Sequence, residues 1–476
     1  MADYSVPKQI LALKPKGTMV KKIKGSYYVY NYKNIKTNGK WKIKMGECIG
    51  SIREDTGFIP NASYVFEDRI SVYEYGQYYL VHEAAASVLE SLKLFFNNED
   101  AIRIYLISII FYINGMDGIS SLEDYYDQSY FCLKYPSVSL SYYKAKQLLD
   151  ALGRREDKKK GFLEYLIDLS DEMAIDGHDF VSYSKLDDLS QYGNKYHKTG
   201  NRQYNMISAY DINTHTPVFA KMFSGSLLDK TSIKDVLKAF NIKGKLLIMD
   251  AGFYSADNIK LFEEGNSYII PLSENLNDYK KYVDTIDYSS SFIYKAYRKS
   301  DPVFYREYDL ESKRIIVYKN MSINALEADD YQGKIGIDDN YTNEEYERLK
   351  DRFGIIILQT NTSLSPEEVY YKYKSRWSIE TFYDTLKNKI DFDALNQQSY
   401  YILEGLCFIS VIIGLIHHEF KKALQGSKIN YRDAFMIGRS VKIHNNGKDY
   451  EIANIAKKSR QLFEALGHTV ISIADI

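Results

Sequence analysis

The run Lys245-Leu246-Leu247-Ile248-Met249-Asp250 constrains the fold of this chain more than any other stretch. It is apolar without alternation and closes on a carboxylate. A strand of that kind is buried on both faces, so it belongs inside a sheet with further layers packed on either side. The surrounding sequence supplies neighbours for it. Glu172-Met173-Ala174-Ile175-Asp176 reads as a short strand that also ends on an aspartate. Residues 204–211 and 217–223 read as two more strands, joined by a turn containing Asn213. Helical patterns follow at 231–240 and 255–264, and a fifth strand at 267–272.

The order β-β-β-α-β-α-β predicts an α/β core with an RNase H-like mixed sheet, its first part spanning residues 171–279. Residues 280–350 interrupt it with strand-like stretches at 292–298, 302–308 and 313–320 and a charged helix, a β-rich insertion subdomain. A strand at 354–361 resumes the core, whose second part spans 351–425, and 426–476 read as a C-terminal helical region. Upstream, residues 76–170 form a helical region, with apolar residues at helical spacing over 84–96 and 100–113 and a further helix over 139–155. That helix ends in Arg154-Arg155, with Lys158-Lys159-Lys160 nearby. Such a basic exit fits either solvated surface or a nucleic-acid contact.

Residues 1–75 form a basic β-hairpin region. Between positions 4 and 46 there are eleven lysines and no acidic residue, although the whole chain has a net charge of -1. Asn38-Gly39 is a two-residue hairpin signal between strand-like stretches at 26–36 and 40–49. Tyr28, Tyr30, Tyr32 and Trp41 interleave with the lysines. A ribbon of this composition suits a nucleic-acid backbone, with Lys21, Lys22, Lys24, Lys40, Lys42 and Lys44 as the candidate phosphate contacts. It also fits a solvated, lysine-rich hairpin. Cys48, Cys132 and Cys407 are far apart and form no C-x-x-C, which argues against a zinc site or a disulfide framework and fits a reducing cytosol. The N-terminal sequence lacks a signal-peptide pattern. The longest apolar run, 405–416, is too short to span a bilayer and reads as a buried helix, so no membrane partner is expected.

Ser365-Pro366-Glu367-Glu368 is a capping box with proline at the first helical position. In a single helix starting there, Tyr373, Arg376, Glu380 and Lys387 fall within roughly a 60° sector at about 100° per residue. Ile379, Phe382, Tyr383, Leu386 and Ile390 lie beside that sector and are expected to bury. A carboxylate can hold a divalent metal, and Arg and Lys can hold phosphate, so one stripe carrying all three points to phosphodiester chemistry. Arg376 and Glu380 also fit a plain i,i+4 ion pair, with Tyr373 as ordinary packing. Asp176 and Asp250 end two strands expected to be adjacent, and Glu380 approaches from a helix. Three carboxylates suit divalent magnesium or manganese, and two such ions are what phosphodiester cleavage and transfer need. Strand-terminal aspartates also cap helices, so the acids alone specify nothing.

Their local contexts and order are more specific. The first acid lies in Ile175-Asp176-Gly177, followed by Ser182-Tyr183-Ser184. The second lies in Met249-Asp250-Ala251-Gly252-Phe253-Tyr254-Ser255, and the third in Arg376-Trp377-Ser378-Ile379-Glu380, with Lys387 beyond it. This set resembles the DDE transposases of bacterial insertion sequences, in the cut-and-paste group defined by a Y-R-E-K signature. The resemblance implies that Asp176, Asp250 and Glu380 ligate two Mg2+ (or Mn2+) ions and that Tyr373, Arg376 and Lys387 contact DNA phosphates near the cleaved end. It implies double-stranded DNA partners (transposon ends and target), a homodimer in the DNA complex, and a bacterial cytoplasmic, nucleoid-associated setting. It implies strand cleavage followed by strand transfer. An RNase H-like nuclease that does not join strands, and a domesticated copy acting as a DNA-binding repressor, would carry the same features. Departures from the family pattern are His178 where threonine is frequent, Gly225-Ser226 before Asp229 where Gly-Asn is usual, and an insertion without tryptophan, in which Tyr294, Tyr297, Phe304 or Tyr305 could hold a base. His178 otherwise reads as a polar loop residue.

Overall fold

The computed structural model describes residues 6–37, 40–61, 71–116, 118–154, 156–182, 190–193, 202–227, 229–296, 299–388, 399–445, 450–453 and 455–468. The chain divides into two compact units, Met1–Gly76 with Met436–Ile476, and Gln77–Phe435.

In the first unit, β1 (Thr18–Ile23), β2 (Ser26–Thr37), β3 (Lys40–Arg53) and β4 (Gly57–Pro60) form an antiparallel meander in chain order. Val20, Val29, Ile49 and Ile52 pack with Val6 and Ile10 into its core. β1 pairs only with the first half of β2, and β4 only with the end of β3, so 32–37 and 40–45 form a two-stranded ribbon. The expected turn, Asn38-Gly39, lies outside the described residues. β5 (Ser71–Glu74) closes this stretch.

The second unit opens with helices Gly76–Ala84, Ala86–Lys93, Asn98–Asn114, Tyr142–Arg154 and Glu156–Leu169. Tyr400–Ala423 packs against three of them. It is long and apolar enough to cross a membrane, and 78% of its apolar window is buried inside the protein. Its crossing with Tyr142–Arg154 is tight because glycine faces backbone on both sides. A Cβ on Gly153 would lie 1.9 Å from the Tyr401 carbonyl oxygen, and one on Gly405 would lie 2.3 Å from that of Leu149. The basic exit of this region is split between an exposed Arg154 and a buried Lys159. Arg154 donates to Asp150 at 2.6 Å, and Lys159 is buried and donates to Glu404 at 2.8 Å. Lys159 is thus neither solvated surface nor a nucleic-acid contact.

Among the described residues, nine strands form the central sheet. They are β6 (Glu172–Ser182), β7 (Arg202–Asp211), β8 (Thr216–Ser224), β9 (Leu246–Ile248), β10 (Ser267–Pro271), β11 (Ser290–Ala296), β12 (Lys299–Asp309), β13 (Arg314–Asn320) and β14 (Ile355–Thr360). Their order is β11-β12-β13-β14-β10-β9-β6-β7-β8. β9, the apolar run that ends at Asp250, is buried in the interior and runs parallel to both β6 and β10. The insertion differs from the expected subdomain. β13 pairs antiparallel with β14, so β11–β13 continue the central sheet and cover an edge that would otherwise expose unpaired backbone.

The C-terminal stretch is not wholly helical. β15 (Lys442–Asn445) pairs with β5 on one side and with β16 (Tyr450–Ala453) on the other, which satisfies the edge of an N-terminal strand.

Candidate active site

β6 and β9 set two carboxylates side by side. Glu172 pairs with Leu246 and Ala174 with Ile248, an offset of 74 residues (246 − 172). The pairing ends there; Asp176 lies two residues beyond Ala174 and Asp250 two beyond Ile248, and Asp250 keeps an extended backbone at φ -90°, ψ 178°. Side chains two apart share a face, so both aspartates project on the side of Ala174 and Ile248. β6 does not end at Asp176, as the sequence reading has it. Its pairing with β9 stops at Ala174 while its pairing with β7 continues through Ser182. Asp176 therefore sits two residues past the point where β9 leaves β6.

Each carboxylate is held locally. The Gly177 N–H donates to Asp176 Oδ1 at 3.0 Å, and the Gly252 N–H donates to Asp250 Oδ1 at 2.8 Å, capping the turn Ala251–Phe253. A guanidinium nitrogen of Arg376 lies 3.4 Å from Asp176 Oδ2. Tyr373 joins the group. Burial pushes its phenol up, Arg376 opposes this, and Asp250 and Asp176 add to it. Asp176, Asp250, Tyr373 and Arg376 thus share one electrostatic neighbourhood.

The helical segment that delivers Tyr373 and Arg376 is two helices, Pro366–Ser375 and Ser378–Asn388, where the sequence predicted one. Its capping box is present as expected, with Ser365 and Glu368 bonded reciprocally. At the join, N–H groups bond three residues back: Arg376 to Tyr373, Trp377 to Lys374, Ile379 to Arg376 and Glu380 to Trp377, at 3.1–3.3 Å. A 3₁₀ turn advances about 120° per residue where an α-helix advances about 100°, so the stripe is rotated by roughly 80° over these four steps. Tyr373 and Arg376 remain on the aspartates. Glu380 is exposed in the first turn of the second helix, and Lys387 is half-buried in its last turn. Among the described residues no three His, Cys, Asp or Glu side chains gather closely enough to hold a metal ion. The three expected carboxylates stand on β6, just beyond β9 and in the first turn of the second helix. Ile379, Phe382, Tyr383 and Leu386 bury as predicted, and Ile390 lies outside the described residues.

The donors fit a hard divalent cation in kind. They are all carboxylate oxygens, one on β6, one just beyond β9, and the third on a helix one turn from Tyr383, whose hydroxyl donates to the Asp176 carbonyl at 2.8 Å. Sequence reasoning assigned Tyr383 to packing alone. It also missed Lys372, which grips both oxygens of Glu172 at 2.6 Å and fixes the first helix to the start of β6. Tyr371 accepts from the Lys295 N–H at 2.8 Å and so ties the same helix to β11. His178 is a strand residue stacked on Tyr383 at 4.6 Å, where a loop position was expected. Tyr294 packs on Tyr370 and Tyr371, and Tyr297 lies outside the described residues. Of the N-terminal lysines, Lys21, Lys22, Lys24, Lys42 and Lys44 are exposed in the first unit. The Lys40 side chain lies outside what is described.

Comparison with known proteins adds the family. The Transposase DDE domain profile matches residues 169–409, just over half of the 476 residues. The matched span holds all of β6 to β14 and both site helices. No curated protein matches this chain. The cryo-EM structure of a piggyBac transposase synaptic complex with hairpin DNA covers 83% of this chain and 83% of its own, at 10% identity and a TM-score of 0.39, a likeness too distant to bear on fold or function. On the profile match, the chain belongs to the family of transposases that carry the DDE domain.

Proposed function

We propose that this transposase binds the terminal inverted repeats of a bacterial insertion sequence of the Y-R-E-K group, cuts the strand at the repeat end, and joins the freed 3'-hydroxyl to target DNA. The observation that supports the reading is the charge cluster around Tyr373: Arg376 lies 3.4 Å from Asp176, and both Asp176 and Asp250 act on the Tyr373 phenol. Asp176, Asp250 and Glu380 are the residues to hold Mg2+ or Mn2+. When bound, two such ions activate the attacking oxygen and stabilise the leaving one.

The chain's own side chains do the rest. Asp176 and Asp250 gather negative charge that repels a phosphodiester until it is offset by cations. Arg376 supplies one such cation, and a planar guanidinium that now faces a carboxylate also suits a phosphate. Tyr373, beside Arg376, orients the same group from its phenol. Lys387 adds a second positive charge further along the second helix. Two copies, each bringing one DNA end, pair as a homodimer on the DNA.

The test is a cleavage assay on DNA carrying the flanking repeats, with Mg2+ or Mn2+, comparing wild type with Asp250→Ala and Glu380→Ala. Metal-dependent nicking at the repeat end, lost in both variants by at least about a hundredfold, is the expected result. Nicking without joined products would assign a nuclease. End binding without nicking in either metal would assign a DNA-binding repressor.

A further inference from the structure

The join between the two site helices has little of its own to hold it. Between residues 375 and 380 only Ile379 is buried, and Ser375, Trp377 and Glu380 are exposed. The backbone bonds there run three residues back, a poorer geometry than that of an α-helix. Such a stretch keeps its shape when the elements on either side of it are fixed.

Both sides are fixed to the same strand. Before the join, Lys372 donates to both oxygens of Glu172 at 2.6 Å, with 23% and 20% of the two side chains exposed. After it, the buried Tyr383 donates from its hydroxyl to the Asp176 carbonyl at 2.8 Å. The Tyr383 ring also stacks on His178, with centroids 4.6 Å apart and planes 25° from parallel. Glu172, Asp176 and His178 are evenly spaced in β6, so their side chains share one face. From Lys372 to Tyr383 a helix rises about 17 Å, and from Glu172 to His178 a strand rises about 20 Å. The segment therefore runs alongside β6, fastened at both ends, and Arg376 meets Asp176 between the two fastenings at 3.4 Å.

We propose that Lys372 and Tyr383 are positioning residues, which pin the join to β6 from both sides and so set where Arg376 and Glu380 stand relative to Asp176. Each acts on a different group. Lys372 fixes the slide of the first helix along β6, and with it the reach of Arg376. Tyr383 stands one turn beyond Glu380, about 60° round the helix, and fixes the direction in which that carboxylate projects. The consequence for strand cutting rests on the function proposed above, whereas the pinning does not.

The test reads the join itself. The chain has two tryptophans, Trp41 and Trp377, and Trp377 stands in the join, 71% exposed. In a Trp41→Phe chain, the decay of fluorescence anisotropy follows the motion of the join with neither metal nor DNA present. Lys372→Met and Tyr383→Phe are each expected to add a fast component to that decay, with thermal melts confirming that each variant folds. The exchange Lys372→Glu/Glu172→Lys, which rebuilds the ion pair in reverse, is expected to remove it. With Trp41 in place, each single variant is expected to cut repeat-end DNA about 10–100-fold more slowly at saturating DNA, with its DNA affinity kept, and the exchange to recover most of the loss. A decay unchanged in both single variants overturns the pinning, and an exchange without recovery overturns the ionic tie at Lys372. A changed decay with cutting at the wild-type rate overturns the positioning role. If wild type never cuts in Mg2+ or Mn2+ but the decay changes and is restored as expected, the strand-transfer reading fails and the pinning stands.

Discussion

His82 is a buried base inside an aromatic cage. Its Nδ1 lies 3.1 Å from the Tyr105 hydroxyl, which donates in turn to the His82 carbonyl at 3.0 Å, and Phe131 and Tyr135 pack edge-on against the ring. Burial, helped by Lys134, lowers its pKa to about 3. An unfolded histidine titrates near 6.5, so below that pH the unfolded chain takes up a proton that the folded one refuses. The stability this group contributes is complete above about pH 6.5 and is lost as pH falls towards 3, at up to about 1.4 kcal/mol per unit. Urea unfolding at pH 6.5 and 5.5 should therefore differ by about 1 kcal/mol in wild type and by much less in His82→Gln. Equal losses in both proteins would rule His82 out as the source. Residues like this one are opaque in the sequence, because an isolated histidine carries no sign of its cage. Lys159 is similar: its partner Glu404 is 245 positions away, and only the fold joins them. Asp176 and Asp250 were legible because each sits beside a run whose burial the sequence states directly. The Arg376–Asp176 contact was not, since it depends on how a distant helix lands on β6.

Elements were legible where the local chemistry is strong. The capping box at Ser365 set the start of its helix, and the apolar run at 246–248 set the interior strand. The tightening at Arg376-Trp377 was not legible, because neither proline nor glycine marks it and helical periodicity alone runs straight through. The crossing of Tyr142–Arg154 with Tyr400–Ala423 was hidden for the opposite reason: glycine in a helix reads as a weakness when it is a contact. Gly405→Ala places a Cβ 2.3 Å from a backbone oxygen that cannot rotate away. Helix separation is the only relief, and overpacking of this kind costs typically about 1–3 kcal/mol. Gly333, inside Met321–Lys334, has nothing within 4 Å of its Cβ position. Gly333→Ala should instead stabilise by about 0.5–1 kcal/mol through helix propensity. Thermal unfolding of the two variants should move in opposite directions. A Gly405→Ala protein as stable as wild type would mean that the two helices are not held this close.

Charge is distributed over the whole molecule unevenly enough to make its near-neutral total misleading. The insertion helices Met321–Lys334 and Asn343–Leu349 carry Glu327, Asp329, Asp330, Glu344, Glu345 and Glu347, while the N-terminal ribbon carries lysine. The pairing of β2 with β3 sorts that ribbon by face. Lys33 lies directly opposite Lys44, and Lys42 opposite Ile35, on one face, while Trp41, Ile43 and Met45 are exposed on the other at 70%, 61% and 43%. Lys21 and Lys22, two of the six candidate lysines, are consecutive in β1 and point to opposite faces. Lys33, outside that set, is the better partner for Lys44. Like charges directly across two strands destabilise a sheet, by roughly 0.2–1 kcal/mol. An anion between them, such as a DNA phosphate, removes the repulsion. Lys33→Gln should therefore have two effects of opposite sign. The free protein should become slightly more stable, by a few tenths of a kcal/mol. Its affinity for DNA should fall, with the salt slope reduced by about 0.9. A melt of the free protein and a salt titration of the complex read the two effects independently. A solvated hairpin predicts the first without the second, because relief of repulsion needs no ligand, whereas loss of a phosphate contact cannot occur where no phosphate binds.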